Sequence, residues 1–238
     1  MQPTRSALRP SLLLDFDGTI ADSLPLLRRI YFEIVGAFGG SATETDFEAL
    51  IGVPLRDICA GLVQRYDTSI TPEALVKSYL DKIKSEYAGV TAFPDAVRLI
   101  EAAGDSGLSI AIVTSSTDLL VREWLQQQPF RNRISAIVTS DICTRGKPHP
   151  EPYLKAMELT HSGPGLAIAV DDAPDGVQAA IASGAQCFAL ARRRERNEIW
   201  PSDARIVTDL DAVWADFTAS GGIAALRGDG HERPGLIS

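Results

Sequence analysis

Acidic, hydroxyl and lysine side chains follow several short apolar segments of this sequence. These candidates are Asp15, Asp17, Thr114, Ser115, Lys147, Asp171 and Asp172. Carboxylates that repel one another attract a hard cation that prefers oxygen ligands, and magnesium is the usual one. If the segments are parallel strands of one sheet, their carboxyl ends meet at one edge, where ligands bind in such folds. The pattern therefore predicts a magnesium site at that edge.

A purely structural explanation exists for each of these residues. Aspartate and serine at the end of a strand also form turns or cap the following helix. Asp175 fits a first helical turn, where it would interact with the helix dipole, and Lys147 alone could be a solvated surface lysine. The coincidence of such residues at four strand ends, together with the uninterrupted run from Asp15 to Thr19, favours a functional site.

The elements that must position these residues follow an alternating pattern. Short apolar runs alternate with amphipathic segments, which predicts an α/β fold with a parallel sheet. We expect strands at 12–15, 109–114, 136–139, 166–170, 187–190 and 205–207. We expect helices at 95–103, 118–127, 151–160 and 174–183, the last of which ends before Gly184.

Residues 23–90 break this alternation, because they show helical periodicity and no convincing strand. Helices are expected at 26–38, 44–50, 55–66 and 72–87. This block is too long for a simple crossover between two strands. We therefore predict an α/β core at 1–22 and 91–218, an inserted helical domain at 23–90, and a loosely ordered tail at 219–238.

Composition limits the partners and the compartment. The net charge of the 238-residue chain is −8, which disfavours nucleic acid and acidic membrane surfaces as partners. The three cysteines form no CxxC pair, which indicates a reducing cytoplasm, and no signal peptide or membrane span is evident. The short basic run at Arg192, Arg193 and Arg194 is more typical of a solvated loop than of an anion site. The oligomeric state, monomer or dimer, is left open.

Four segments resemble, in order, the motifs of the haloacid dehalogenase superfamily. They are DFDGTIADS, the strand that ends in Thr114, GKPHPEPY and VDDAPDGVQAAIASG, and they span about residues 12–190. The resemblance implies a Rossmann-like parallel sheet core, and the inserted helices resemble the helical cap of many members. DSLPLLRR and IGVPLRDI resemble phosphoglycolate-phosphatase-like members, whereas the acid pair at Asp171 and Asp172 resembles β-phosphoglucomutase-like members.

The resemblance also implies catalytic roles. Asp15 would attack phosphorus and form an aspartyl-phosphate. Asp17 would protonate the leaving alcohol and later deprotonate the attacking water. Phosphoryl oxygens would be bound by Thr114, Ser115 and Lys147.

The implied cofactor is Mg²⁺, held by Asp15, by the backbone carbonyl of Asp17 and by Asp172. Many relatives carry a second acid four residues after the last of these ligands, and the sequence has Gly176 there. Asp171 could instead touch the metal, directly or through water. Arg56 is a candidate for binding a substrate carboxylate, although a surface arginine explains it equally well.

Three functions are compatible with these motifs. The first is a Mg-dependent phosphatase acting on a small phosphorylated metabolite, either phosphoglycolate-like or a sugar phosphate. The second is a phosphomutase of the β-phosphoglucomutase type, and the third is a non-catalytic domain with the same fold. Because every mapped catalytic position is filled, the third is disfavoured. Leu27 stands where the mutases place a histidine, which favours the phosphatase.

Overall fold

The computed structural model describes residues 8–66, 69–192 and 199–227. Its strands are β1 (Ser11–Leu14), β2 (Ser109–Val113), β3 (Ile134–Val138), β4 (Ala167–Asp171), β5 (Gln186–Leu190) and β6 (Arg205–Val207). Its helices are α1 (Leu24–Ala37), α2 (Glu44–Glu48), α3 (Leu55–Tyr66), α4 (Pro72–Tyr87), α5 (Pro94–Asp105), α6 (Asp118–Gln126), α7 (Glu151–Leu159), α8 (Pro174–Ala182), α9 (Leu210–Ala219) and α10 (Gly222–Arg227).

The six strands form one parallel sheet in the order β3-β2-β1-β4-β5-β6. Successive side chains of a strand point to opposite faces, so Leu13 packs in one core cluster while Leu12 and Leu14 pack in the other. Helices α7 and α8 cover the first face, and α5, α6 and α9 contribute to the second cluster. Helices on both faces explain why the strands are almost uniformly apolar. The predicted α/β fold is confirmed.

Helices α1–α4 are inserted between β1 and α5. They pack mainly on one another through apolar faces that include Ile30, Leu62 and Tyr79. Two threonines fix helix starts within this insert. Thr43 forms a capping box with Asp46, and Thr71 accepts a hydrogen bond from the backbone N–H of Ala74. The insert lies over the carboxyl end of the sheet, where its loop at Gly52 contacts the core.

The structure corrects the expectation of a loosely ordered tail for the residues that it describes there. Helix α10 occupies Gly222–Arg227, and Ile223 and Leu226 pack against the core. The Gly- and Arg-rich composition of the tail obscured this apolar pair, which is spaced by one helical turn. The rest of the tail, and Arg193 and Arg194, lie outside the described residues. Among described residues, no helix is both long and apolar enough to cross a membrane.

Candidate active site

A buried ion-pair cluster lies at the carboxyl ends of β1 and β4. Lys147 Nζ donates hydrogen bonds to Asp15 Oδ1 (2.5 Å), Asp171 Oδ2 (2.7 Å) and the carbonyl of Val113 (3.0 Å). The side chains of Lys147 and Asp171 are only 2% and 1% exposed. Such a pair is stable only with its remaining hydrogen bonds satisfied, and these three acceptors satisfy the ammonium group. The cluster therefore fixes the orientation of Asp15.

The loop that carries Lys147 is anchored to the start of α7. Glu151 accepts hydrogen bonds from the backbone N–H and the hydroxyl of Thr144 and from the N–H of Arg145. The pKa of Glu151 is lowered to about 2, mainly by the two hydrogen bonds from Thr144 and also by those from Lys155 and Arg145. An ionised Glu151 thus holds the loop in place across the neutral pH range.

Asp171 is fully engaged by protein groups. In addition to Lys147, Tyr153 donates to its Oδ2 (2.6 Å) and the N–H of Ala173 donates to its Oδ1 (3.0 Å). The carboxylate also occupies the space beside Gly176, where an added Cβ would lie 2.0–2.1 Å from it. This explains why the sequence has glycine at position 176, where many relatives carry an acid, because no side chain fits there while Asp171 is in place.

The donor set fits a hard divalent cation. Carboxylate oxygens of Asp15, Asp171 and Asp172 lie within 4.8 Å of one another. Three carboxylates beside one ammonium group leave an excess of negative charge in a buried space. Gly18 (φ +85°) allows close approach, because a Cβ there would lie 2.3 Å from Asp172 Oδ2. A bound cation would offset this charge and is compatible with these oxygens.

The same surroundings act on the acidity of Asp15. Burial is the largest influence and raises the pKa of this carboxyl well above its usual value. Lys147 opposes the rise, whereas Asp171 and Asp172 add to it. A positive charge beside Asp15 therefore favours the ionised form that a nucleophile requires.

Asp17 lies in a second cluster, made of hydroxyl groups. Its Oδ1 accepts hydrogen bonds from Ser23 Oγ (2.6 Å) and Tyr87 Oη (2.7 Å), and its Oδ2 accepts one from Ser116 Oγ (2.6 Å). Burial raises the pKa of Tyr87 well above its usual value, so this hydroxyl stays protonated and remains a donor. The three donors come from the segment before α1, the end of α4 and the loop after β2.

Aromatic packing supports the second cluster. The Phe16 ring stacks on Tyr87 at a centroid distance of 6.2 Å and meets Trp124 edge-on at 5.0 Å. Trp124 Nε1 donates to the carbonyl of Val90 (2.8 Å), in the segment that leads back to the core. Phe16, between the two predicted catalytic aspartates, is thus packed against both the insert and the core.

The predicted phosphate-binding residues lie on the loop after β2. Thr114 is buried, and its Oγ1 accepts a hydrogen bond from the N–H of Ser116 (3.0 Å). Ser115 Oγ donates to the carbonyl of Gly52 (2.8 Å), so this hydroxyl is engaged by the inserted helices. The loop therefore connects the Lys147 cluster, the Asp17 cluster and the insert.

A cavity of about 220 Å³ opens beside these clusters. Gly18 and Asp172 line it from the core, together with Arg192, while Arg28 and Glu44 line it from the insert. Arg192 is only 16% exposed, which corrects the expectation of a solvated residue.

Arg56, the predicted specificity residue, is the second residue of α3. It is exposed and is not among the described residues that line this cavity. Its proposed contact with substrate remains a prediction.

Sequence reasoning missed the partners of both clusters. Tyr153 lies inside the quoted GKPHPEPY segment, so its proximity to the site could have been expected. Tyr87 carries no such signal, because it is separated from Asp17 by 70 positions and ends an amphipathic helix.

Comparison with known proteins matches residues 12–190, three quarters of the chain, to the haloacid dehalogenase-like hydrolases. The chain is 30% identical over 211 residues to hexitol phosphatase A of Escherichia coli, covering 84% of this chain and 88% of that protein. It is 27% identical over 186 residues to the chloroplastic Arabidopsis thaliana protein SUPPRESSOR OF QUENCHING 1, covering 76% of this chain but only 18% of that longer protein.

Among solved structures, that of CbbY from Rhodobacter sphaeroides in complex with phosphate aligns with a TM-score of 0.74. The sequence identity is 21%, and the alignment covers 92% of this chain and all of that one. This likeness supports the fold. The span of the family match includes Asp15, Asp17, Lys147 and the acid pair after β4. The chain therefore belongs to the haloacid dehalogenase-like hydrolase family.

Proposed function

We propose that this protein is a phosphatase that hydrolyses a small phosphoric monoester through an aspartyl-phosphate at Asp15. The observation that carries the proposal is the buried contact between Asp15 and Lys147 beside two further carboxylates. That arrangement suits an anionic nucleophile that must approach an anionic phosphoryl group, because the ammonium group reduces the repulsion between them.

In the first step, an oxygen of Asp15 forms a bond to phosphorus while the bond from phosphorus to the leaving oxygen breaks. Asp17 gives its proton to that leaving oxygen, and the alcohol departs. In the second step, Asp17 takes a proton from water, whose oxygen attacks phosphorus. The bond to Asp15 then breaks, and phosphate is released. Throughout both steps, the positive charge of Lys147 offsets the negative charge of the phosphoryl oxygens, and the Thr114 hydroxyl donates a hydrogen bond to one of them.

We propose that Asp15, Asp172 and the backbone carbonyl of Asp17 hold Mg²⁺. When bound, the ion supplies charge compensation between the nucleophile and the phosphoryl group. Asp171 already accepts hydrogen bonds from Lys147, Tyr153 and Ala173, so we assign it the role of positioning Lys147.

We further propose that residues 23–90 act as a cap that opens and closes on the core at residues 1–22 and 91–218. Contacts of Gly52 with Ser115 and of Tyr87 with Asp17 join the cap to the catalytic loops. Closure would exclude bulk water until the correct leaving group has departed. Leu27 is partly buried and packs against the apolar core, as expected for a residue without a proton-transfer role. This supports a phosphatase over a phosphomutase.

The test is a screen of phosphorylated metabolites for phosphate release, combined with trapping of the intermediate. Asp17→Asn removes both the acid of the first step and the base of the second. With p-nitrophenyl phosphate, whose leaving group departs without a proton, a phosphoryl group should therefore accumulate on the peptide that contains Asp15 and be detected by mass spectrometry. β-Glucose 1-phosphate with a trace of the 1,6-bisphosphate should release phosphate. Rapid formation of glucose 6-phosphate instead would identify a mutase.

A further inference from the structure

The loop after β2 carries three consecutive hydroxyl groups, and each has a different partner. Thr114 Oγ1 accepts a hydrogen bond from the backbone N–H of Ser116 (3.0 Å), and Ser116 Oγ donates to Asp17 Oδ2 (2.6 Å). Both of these contacts lie within the core. Ser115 Oγ donates instead to the carbonyl oxygen of Gly52, in the insert, at 2.8 Å. The Ser115 hydroxyl therefore links this loop of the core directly to the inserted helices.

The segment of the insert that receives this bond fits closely against the core. Gly52 has a φ of +85°, and a Cβ added to it would lie 3.1 Å from the Cβ of Ala173, in the loop after β4. Pro54 lies beside Gly146, where an added Cβ would be 3.6 Å from the proline Cγ. The segment thus contacts the loops after β2 and β4 and the loop before α7, which together surround the proposed phosphoryl site.

The Ser115 hydroxyl can serve only one acceptor at a time, because a hydroxyl group has a single hydrogen to donate. The oxygens of a fully ionised phosphoryl group carry no hydrogen, so they can only accept. Ser115 Oγ therefore cannot donate to a phosphoryl oxygen while it donates to the carbonyl of Gly52. Binding of phosphate and contact with the insert are mutually exclusive roles for this hydroxyl, and the 2.8 Å contact favours the second.

We propose that Ser115 is a positioning residue, whose hydroxyl holds the inserted helices closed over the core through the Gly52 carbonyl and does not bind the phosphoryl group. The next residue, Ser116, fixes the carboxylate of Asp17. Closure of the insert and orientation of the proposed acid/base are therefore coupled through this loop. The inference rests on the proposed phosphatase function and its cap closure.

The experiment measures two quantities that need no turnover. Hydrogen–deuterium exchange of the backbone amides around Gly52 reports how often this segment leaves the core. Calorimetry with magnesium and inorganic phosphate gives the Kd of phosphate. Ser115→Ala should raise the exchange rate about fivefold, the effect of losing one hydrogen bond. The Kd should stay within about twofold, because a ligand that contacts core groups alone binds the open and closed forms equally.

Two further variants control for the change of side chain. Ser115→Thr keeps the hydroxyl and should exchange at nearly the wild-type rate. Ser85→Ala is the matched control, because Ser85 Oγ also donates to a backbone carbonyl at 2.8 Å, that of Lys82, but within the insert. This control should change neither the exchange rate around Gly52 nor the Kd of phosphate.

Two results would overturn the inference. If Ser115→Ala weakens phosphate binding by about tenfold or more, the hydroxyl is a phosphate ligand. If the same variant leaves the exchange rate around Gly52 unchanged, the hydroxyl does not hold the insert closed. A wild-type protein that releases phosphate from no ester refutes the proposed phosphatase function instead, and the exchange rates still decide whether this contact closes the insert.

Discussion

The carboxyl end of the sheet and the inserted helices use charge in opposite ways. At the sheet, Lys147 and Asp171 are almost completely buried and form a single set of short contacts. On the insert, Arg29 bridges Glu33 and Glu86 with all three side chains 41–46% exposed. Exposed pairs contribute little to stability and rearrange easily, whereas a buried pair cannot lose one partner without a large cost.

The difference agrees with a division of roles, in which the core carries the proposed chemical step and the insert the proposed closure over the site. The core holds Asp15 in one geometry, which suits its proposed role as nucleophile, because an error of about 1 Å at the reacting centre can cost about a hundredfold in rate. The insert is the part that we propose to move over the core. The loop at Gly52 and the Tyr87 hydroxyl are two of its contacts with the core.

The largest effect is expected at the nucleophile. Asp15→Asn should lower kcat by more than about a thousandfold, because the amide is a far poorer nucleophile and metal ligand. The fold should survive, since Lys147 retains Asp171 as its partner. Phosphate release measures the first expectation and thermal unfolding the second. Retention of a tenth of the wild-type activity would exclude covalent catalysis by Asp15.

Removal of the metal should be almost as damaging. Excess EDTA should lower activity by more than about a hundredfold, and added Mg²⁺ should restore it. Asp172→Ala should resemble metal removal. Asp171→Ala should instead weaken the fixation of Lys147, and added magnesium should not compensate for it. Activity that persists in EDTA would refute the metal assignment, and the reverse ranking of the two variants would exchange their roles.

Alanine substitutions at one glycine of the core and one glycine of the insert test how tightly each region is packed. In Gly176→Ala, the new Cβ would lie about 2 Å from the Asp171 carboxylate, so α8 must shift, with a cost of about 3 kcal/mol. In Gly61→Ala, on the exposed face of α3, nothing lies within 4 Å of the new Cβ. That change should stabilise the protein by up to about 1 kcal/mol.

Chemical denaturation measures the free energy of unfolding of both glycine variants. The double variant Asp171→Ala/Gly176→Ala should lose less free energy of unfolding than the sum of the two single losses, because the overlapping carboxylate is gone. If the two single alanine variants lose the same free energy of unfolding, the core site and the insert are packed equally tightly, and the two regions do not differ as described above.

Much of the core could be predicted from the sequence. Apolar runs and amphipathic segments placed all six strands and helices α1–α8 to within about two residues, because local periodicity determines them. Helix α9 was missed, although Asp209 caps it and Leu210, Val213 and Phe217 share one face. That signal was present in the sequence, so the omission was avoidable.

The contacts that join distant segments could not be predicted. Nothing in the sequence near Tyr87 indicates that its hydroxyl lies on Asp17, and nothing near Arg192 indicates that it lies on Phe93. Such contacts depend on how helices and loops pack in three dimensions, which no local period records. By contrast, Asp15, Lys147 and Asp171 could be expected together, because parallel strands bring their carboxyl ends to one edge.

The smallest effect is expected where the two regions meet. Tyr87→Phe removes one of three hydroxyls that orient the Asp17 carboxylate and leaves Ser23 and Ser116 in place. We expect kcat to fall about tenfold, with a smaller change in KM, because one hydrogen bond that orients the proposed acid/base is lost while the groups proposed to bind the phosphate are unchanged. The Phe16 stacking contact is kept, so the thermal stability should change little.

Tyr79→Phe is the matched control for this variant. Tyr79 is buried on the same helix, α4, and its hydroxyl donates to no described carboxylate. It should therefore leave kcat unchanged. If the two variants lose activity equally, the loss reflects general loosening of α4, and the link from the insert to Asp17 has no catalytic role. A loss confined to Tyr87→Phe would show that the inserted helices act on Asp17 through this hydroxyl, as the proposed coupling of cap position and proton transfer requires.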